Sequence, residues 1–227
     1  MLHLVRNPWL DLPRTKPYIL DIDRAHVEAF NRHASPKHRL DLRMIPVPFM
    51  GNRAAPLLVL GLNPSYQRDS LRLDCDGTRR GDAMRANLGS NPRRHLHVGL
   101  RDEFAETSGG RWWRRCFRAL IDRRHEPDEL AHKVLGVEFH GYRSLNWQAI
   151  PFTLPSQYFG FELVRRAMRR QATIVVTRGI PQWHVAIPEL ADYESLARLK
   201  NPRSASISPR NCTRRGFTLV QKALEGI

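Results

Sequence analysis

Leu57-Leu58-Val59-Leu60-Gly61-Leu62-Asn63-Pro64-Ser65-Tyr66 is the stretch whose reading decides the fold. Four consecutive apolar residues predict a strand buried on both faces, as in a parallel sheet covered by helices. The run stops at Gly61-Leu62-Asn63-Pro64-Ser65, where a glycine, an amide side chain and a proline fix polar groups at the carboxyl end of a rigid strand. In open α/β sheets, ligands bind at that end. A lone Asn-Pro pair is also the signature of an ordinary turn, with the amide capping the backbone. The stretch therefore takes its chemical meaning from the rest of the chain.

Outward from it, three more strand candidates each run into polar residues. Val134 to Phe139 leads to His140-Gly141-Tyr142-Arg143-Ser144, and Ala172 to Val176 leads to Thr177-Arg178-Gly179. Ala197 to Lys200 leads to Asn201-Pro202-Arg203-Ser204. Helical spacing appears between them: Ile22, Ala25, Ala29 and Phe30; Trp113, Cys116, Phe117, Leu120 and Ile121; Phe161, Val164 and Met168; and finally Phe217, Val220 and Leu224. Trp112 lies off the second stripe and is a candidate stacking group. Strands alternating with helices predict an α/β fold, a parallel sheet covered on both sides.

Residues 1–50 read as an N-terminal extension packed on a domain formed by 51–227. Pro8, Pro13 and Pro17 keep its start extended. Residues 39–50 alternate apolar and polar and then meet two prolines, as an edge strand or strap does. The polar stretch from Gln67 to Gly110 is long for a connection inside one domain, which predicts a functional or mobile segment.

The 227 residues carry 37 Lys and Arg against 22 Asp and Glu, a net charge of +15 that predicts a polyanionic partner. Arginine forks suit phosphates, so nucleic acid is the expected partner. No basic amphipathic helix stands apart from the core helices, and no apolar run is long enough for a signal peptide or a membrane span, so the expectation is a cytoplasmic protein without membrane attachment. Cys75, Cys116 and Cys212 are an odd, dispersed set, which excludes a disulfide framework and falls short of an iron–sulfur cluster. His95 and His97 lie two apart with no HExxH or CxxC nearby, so neither a metal nor another cofactor is expected.

A parallel sheet brings the four polar strand ends to one rim. There Asn63 meets the His140 to Ser144 turn, Thr177-Arg178 and the loop Asn201 to Asn211, which Pro202 and Pro209 stiffen and a helix follows from Thr213 or Arg214. That helix start favours phosphate. Gly61-Leu62-Asn63-Pro64-Ser65 and Asn201-Pro202-Arg203-Ser204 resemble the two active-site motifs of the uracil-DNA glycosylase superfamily, nearest its mismatch-specific and single-strand-selective branches. The resemblance runs over residues 40 to 227. It implies a three-layer αβα sandwich with a central four-stranded parallel sheet, and hydrolysis of the N-glycosidic bond of a flipped-out nucleotide.

In that reading Asn63 orients the attacking water and Asn201 stabilises the departing base. Leu62, Pro64, Ser65, Tyr66, His140, Gly141 and Tyr142 form the base pocket, with Tyr66 stacking or packing at the sheet edge and Tyr142 lining the pocket or packing in the core. Arg203, Arg210 and Arg214 clamp phosphates, and Ser204 and Ser206 hydrogen-bond them. Trp147, Pro155, Ser156 and Gln157 form a second loop toward the same rim.

Three departures from the superfamily pattern shape the expected substrate. Ser65 stands in place of a glycine. Gly141 stands in place of the asparagine that reads uracil, which implies a larger pocket. Ala205 stands at the wedge position and is too small, leaving Ile207 as the wedge candidate. The resulting expectation is a metal-independent, monofunctional DNA glycosylase, since neither motif holds a lysine for a Schiff base. Its substrate is a damaged or modified pyrimidine, such as a bulky hypermodified cytosine of phage DNA in antiviral defence, or uracil in repair. The alternatives are a non-catalytic nucleic-acid binder on the same fold, and a metal-dependent nuclease built on Asp74, Asp76 and Asp82.

Overall fold

A computed structural model describes residues 5–89, 96–122, 125–201 and 203–226. His95 and Pro202, both singled out above, lie outside the described residues. Five strands, β1 (Phe49–Gly51), β2 (Leu57–Gly61), β3 (Val134–Glu138), β4 (Thr173–Val176) and β5 (Leu196–Ala197), form one sheet in the order β1-β3-β2-β4-β5. Four of them are parallel, and β1 joins the edge antiparallel to β3. The expected four-stranded parallel sheet is thus extended by a fifth, antiparallel strand. The strand itself begins only after Pro46 and Pro48, which donate no ladder hydrogen bond, while earlier in the 39–50 segment Asp41 bridges Arg143 and the Val47 amide donates to Gly141 O.

The helices are α1 (Asp21–His33), α2 (Ser70–Leu73), α3 (Arg79–Asn87), α4 (Ser108–Ile121), α5 (Pro127–Lys133), α6 (Gln157–Arg169), α7 (Ile180–Ala186) and α8 (Arg214–Glu225). Among the described residues, no helix is long and apolar enough to cross a membrane. Threonine caps three of the starts, with Thr78 accepting from the Gly81 amide at α3. Thr107 and Thr213 accept from the amides of Gly110 and Gly216, which begins α4 four residues ahead of Trp112 and places α8 directly after Thr213.

Each central strand buries both faces, and the period of two sorts its side chains into two cores. Leu58, Leu60, Leu135, Val137, Ile174 and Val176 pack with Val27 and Phe30 of α1 and with Phe161 and Val164 of α6. Leu57, Val59, Val134 and Val175 pack with Cys116, Phe117 and Leu120 of α4 and with Val220 and Leu224 of α8. Helices therefore cover both faces. β5 is shorter than the predicted 197–200 segment, because Leu199 turns away to bridge Cys212.

The N-terminal fifty residues are built into the first of these cores. Trp9, Ile19, Leu20 and Phe30 belong to it, and the division at 50/51 falls inside β1. Asp23 is wholly buried, accepting the Tyr142 hydroxyl at 2.8 Å and the Ser156 amide at 3.0 Å. The Gln67 to Gly110 stretch carries α2, α3 and two 3-10 turns, Val98–Leu100 and Asp102–Phe104, so it is no structureless connection over its described residues.

Candidate active site

A cavity of about 610 Å³ opens at the carboxyl ends of β2 and β3. The loop Asn63 to Asp69 forms one side; Gly136, Glu138 and Arg143 form the floor and back. The first turns of α4, with Ser108, Gly109, Trp112 and Trp113, close the opposite side, together with Arg80 of α3 and Phe49 of β1. Ligand sites in α/β sheets occupy this end of the strands.

Strand pairing explains why the chemistry gathers here. Gly61 is the register partner of Glu138, and the ladder continues past the strands through Phe139 N–H to Gly61 O at 3.2 Å and His140 N–H to Leu62 O at 3.1 Å. Asn63 and Glu138 therefore leave neighbouring strand ends a few residues apart. The Asn63 amide is fixed by its Nδ2, which donates to Ser144 Oγ at 2.8 Å, so Oδ1 remains the acceptor that this side chain offers to the cavity.

Glu138 carries the least expected electrostatics. A Cβ at Gly61 would lie 2.2 Å from Glu138 Oε2, so the carboxyl occupies the space that the missing side chain leaves. Oε2 is out of solvent contact and has no hydrogen-bond partner. Burial pushes this carboxyl up to about 8, against an opposing pull from the Arg143 guanidinium. It is mostly protonated at neutral pH.

Behind it lies a buried ion cluster. Asp74, fully buried, is paired with Arg80 and, at 2.9 Å, with Arg143. Arg143 also donates to Ile45 O and Ser65 O, which ties the turn after β3 to the loop after β2. Desolvation lowers both guanidinium groups to about 10, which leaves them charged at neutral pH. Tyr66 stands at the mouth, its hydroxyl raised above its ordinary value by desolvation and by the neighbouring Asp41 carboxylate.

Of the predicted pocket residues, Asn63, Pro64, Ser65 and Tyr66 line the cavity, and the others lie elsewhere. Leu62 packs on Gly179, whose positive φ of 73° and absent Cβ admit it. His140 is buried and stacked on Trp147 at 5.2 Å, its imidazole lowered to about 4 by desolvation. Gly141 faces the strap before β1: a Cβ there would sit 2.9 Å from the backbone nitrogen of Pro48, so this glycine serves close packing and does not enlarge the cavity. Tyr142 takes the core alternative, bonded to Asp23 and to the Leu20 amide.

The loop after β5 is organised by Asn211, whose Nδ2 donates to Ser204 O and Ser206 O and whose Oδ1 accepts from the Asn201 amide. Asn201 Oδ1 is engaged by the Arg203 amide, and Asn201 is outside the cavity lining. Ile207 is wholly buried, its amide bonded to Cys116 O of α4, so it is a core residue rather than an exposed wedge. Arg203, Arg210 and Arg214 are exposed, and Ser204 and Ser206 are half-buried. In the second loop, the Ser156 backbone N–H donates to the Asp23 carboxylate, and Gln157 Nε2 donates to Phe139 O.

The three aspartates of the nuclease alternative do not converge. Asp74 pairs with two arginines, Asp76 with Arg85, and Asp82 accepts from the Gly77 amide. Among the described residues, no group of three or more His, Cys, Asp or Glu side chains is arranged to hold a metal ion.

Glu138, Arg80 and Trp113 thus enter the site beyond the predicted set, and within the predicted His140 to Ser144 turn it is Arg143 and Ser144 that serve it. One signal for Glu138 was present: a single carboxylate closing an otherwise apolar strand. No protein-family model matches the chain, and no curated protein or solved structure matches it either.

Proposed function

We propose that this cavity receives an extruded nucleobase and that the protein is a monofunctional DNA glycosylase acting on a damaged or modified pyrimidine. The observation that carries this reading is the Asn63–Ser144 hydrogen bond, which holds an amide with its carbonyl available to orient a water. Cleavage of a glycosidic bond leaves an oxocarbenium-like sugar, so an oriented neutral water is a sufficient nucleophile, and the DNA phosphates stabilise the cation. The positive charge of the chain supports a DNA partner, and Arg68, Arg111 and Arg115 among the lining residues place part of it at the cavity. Trp112, Trp113 and Tyr66 supply faces on which a base can stack. Among the described residues that line the cavity there is no lysine, in keeping with hydrolysis without a Schiff base.

The volume of about 610 Å³ lies well within the range of sites for whole small molecules, about 300–1,000 Å³, and supports a base bearing a bulky substituent over bare uracil. Such an enzyme would serve base-excision repair or restriction of modified phage DNA.

The test is to incubate the protein, with chelator, on DNA carrying uracil or hypermodified cytosines and to score alkali-labile abasic sites. Sites formed by the native chain and lost in Asn63→Ala support the reading. Salt-sensitive DNA binding without any abasic sites replaces it with the non-catalytic binder.

A further inference from the structure

We propose that Glu138 is the acid of the site, donating its carboxyl proton to the departing base while Asn63 holds the water. This rests on the glycosylase reading and adds a second catalytic residue to it. Three geometric facts carry it. Glu138 lines the same cavity as Asn63, from the adjacent strand end. Its Oε2 is removed from solvent and without a hydrogen-bond partner, a costly state for a polar atom unless a ligand supplies one. Gly61 is the residue that lets the carboxyl lie there.

The other titratable groups around the cavity come from several of its walls. Arg143 comes from the turn after β3, Tyr66 and Asp69 from the loop after β2, and Arg80 from α3. Arg111 and Arg115 come from α4 and Arg68 from the loop after β2, and the buried Cys116 thiol of α4, outside the lining, also feels the Glu138 charge. Arg143, with Asp74 between it and Arg80, is the charge that pulls the carboxyl toward ionisation, and burial outweighs it. His97 lies under Gly136, fully buried and lowered to about 3, so it stays neutral and contributes no countercharge. The carboxyl therefore titrates close to neutral pH, where a general acid works best.

The step balances as a hydrolysis. The C1′–N bond breaks with both electrons going to the base, and the Glu138 O–H proton moves to an acceptor on the base as charge develops there. The water held by Asn63 bonds to C1′ and releases a proton to solvent, and Glu138 takes a proton back from solvent.

Glu138→Gln keeps the shape and removes the acid. The expected result is a loss of about 100-fold or more in the single-turnover rate at pH 7, with melting temperature retained. The native rate should fall as pH rises through about 8, and the variant's residual rate should not. The deficit should shrink on DNA carrying 5-fluoro-substituted pyrimidines, which leave without protonation. A merely structural role would shift none of the pH profile and none of this leaving-group dependence.

A variant with the native rate, pH profile and leaving-group dependence overturns the proposal while the glycosylase reading stands. If the native chain makes no abasic sites, that reading fails. The proton-sharing contact is then judged by tryptophan-fluorescence titration with free cytosine and free uracil. Base binding that weakens above pH 8 in the native chain and not in Glu138→Gln keeps it; identical pH dependence, or no binding, overturns it.

Discussion

Asn63 Nδ2 donates to Ser144 Oγ at 2.8 Å, and Ser144 Oγ in turn donates to Asn146 O at 2.8 Å. Because the serine proton is spent on Asn146, the serine oxygen can only accept from Asn63. That relay decides which end of the amide the cavity sees. Ser144→Ala should let the amide rotate and lower the rate of abasic-site formation by up to about tenfold, the scale of one net hydrogen bond. Asn63→Ala should abolish it. Single-turnover kinetics at saturating enzyme distinguish the two, and an unchanged Ser144→Ala rate would remove the relay from the mechanism.

Gly61→Ala tests the seat of the Glu138 carboxyl. The added Cβ would overlap Oε2, but the overlap is with the end of a flexible side chain, so the carboxyl can swing outward without unfolding the sheet. The expected outcome is a small drop in melting temperature with a Glu138 titration shifted back toward ordinary carboxylates, followed by carboxyl-region infrared or NMR difference spectra. A native titration in this variant would show that burial there does not depend on Gly61.

Gly141→Asn introduces the asparagine that the resemblance to uracil-DNA glycosylases led one to expect at this position. Its Cβ would meet Pro48 N and Cβ, each at 2.9 Å, and the neighbouring β1 pairing leaves that backbone little freedom. Destabilisation of about 1–3 kcal/mol is expected, the cost of overpacking, with no gain in uracil excision. Urea melts and a uracil assay check both halves.

Asp74→Asn should be the most damaging of these single changes. It leaves Arg80 and Arg143 buried without their shared carboxylate, a loss of about 3–5 kcal/mol. The midpoint of a urea melt reads it directly, and a shift below about 1 kcal/mol would mean the cluster is solvated.

Stability should also depend on pH through Glu138. Its folded-state value of about 8 lies above the ordinary 4.5, so between those values the folded chain holds a proton that the unfolded chain has lost. Stability from this group is full below pH 4.5 and falls as pH rises toward 8, by an amount on the order of a few kcal/mol. His97 and His140, depressed to about 3 and 4, act oppositely: their contribution is present above pH 6.5 and lost on acidification. Both histidines cancel in the difference between the native chain and Glu138→Gln. That difference, from urea midpoints at pH 5 and pH 8, should show the native chain losing more on alkalinisation; equal losses would place the carboxyl in water.

The parallel sheet and the Asn63 turn were legible because an uninterrupted apolar run ending in Gly and Asn-Pro is a local signal. The rest of the site is tertiary. Oε2 of the half-buried Glu138 is out of solvent where a glycine on another strand makes room for it, and spacing along one strand carries no trace of that. Gly141 and Tyr142 were placed by chain order after β3, but that turn packs against the 46–48 strap and Asp23, partners about a hundred residues away. α5 and α7 were absent from the sequence reading: each has only seven residues and a proline in its first turn, too short for a periodic apolar signal.

Val47, Phe49 and Met50 form part of the cavity wall, and Asp41 acts on the Tyr66 hydroxyl. All four precede the first motif. Two chains could share GLNPS and NPRS to the letter and still offer a ligand different walls, if their opening fifty residues differed. Motif-based classification would group such chains by their strand-end turns and would mix those whose cavities differ in shape.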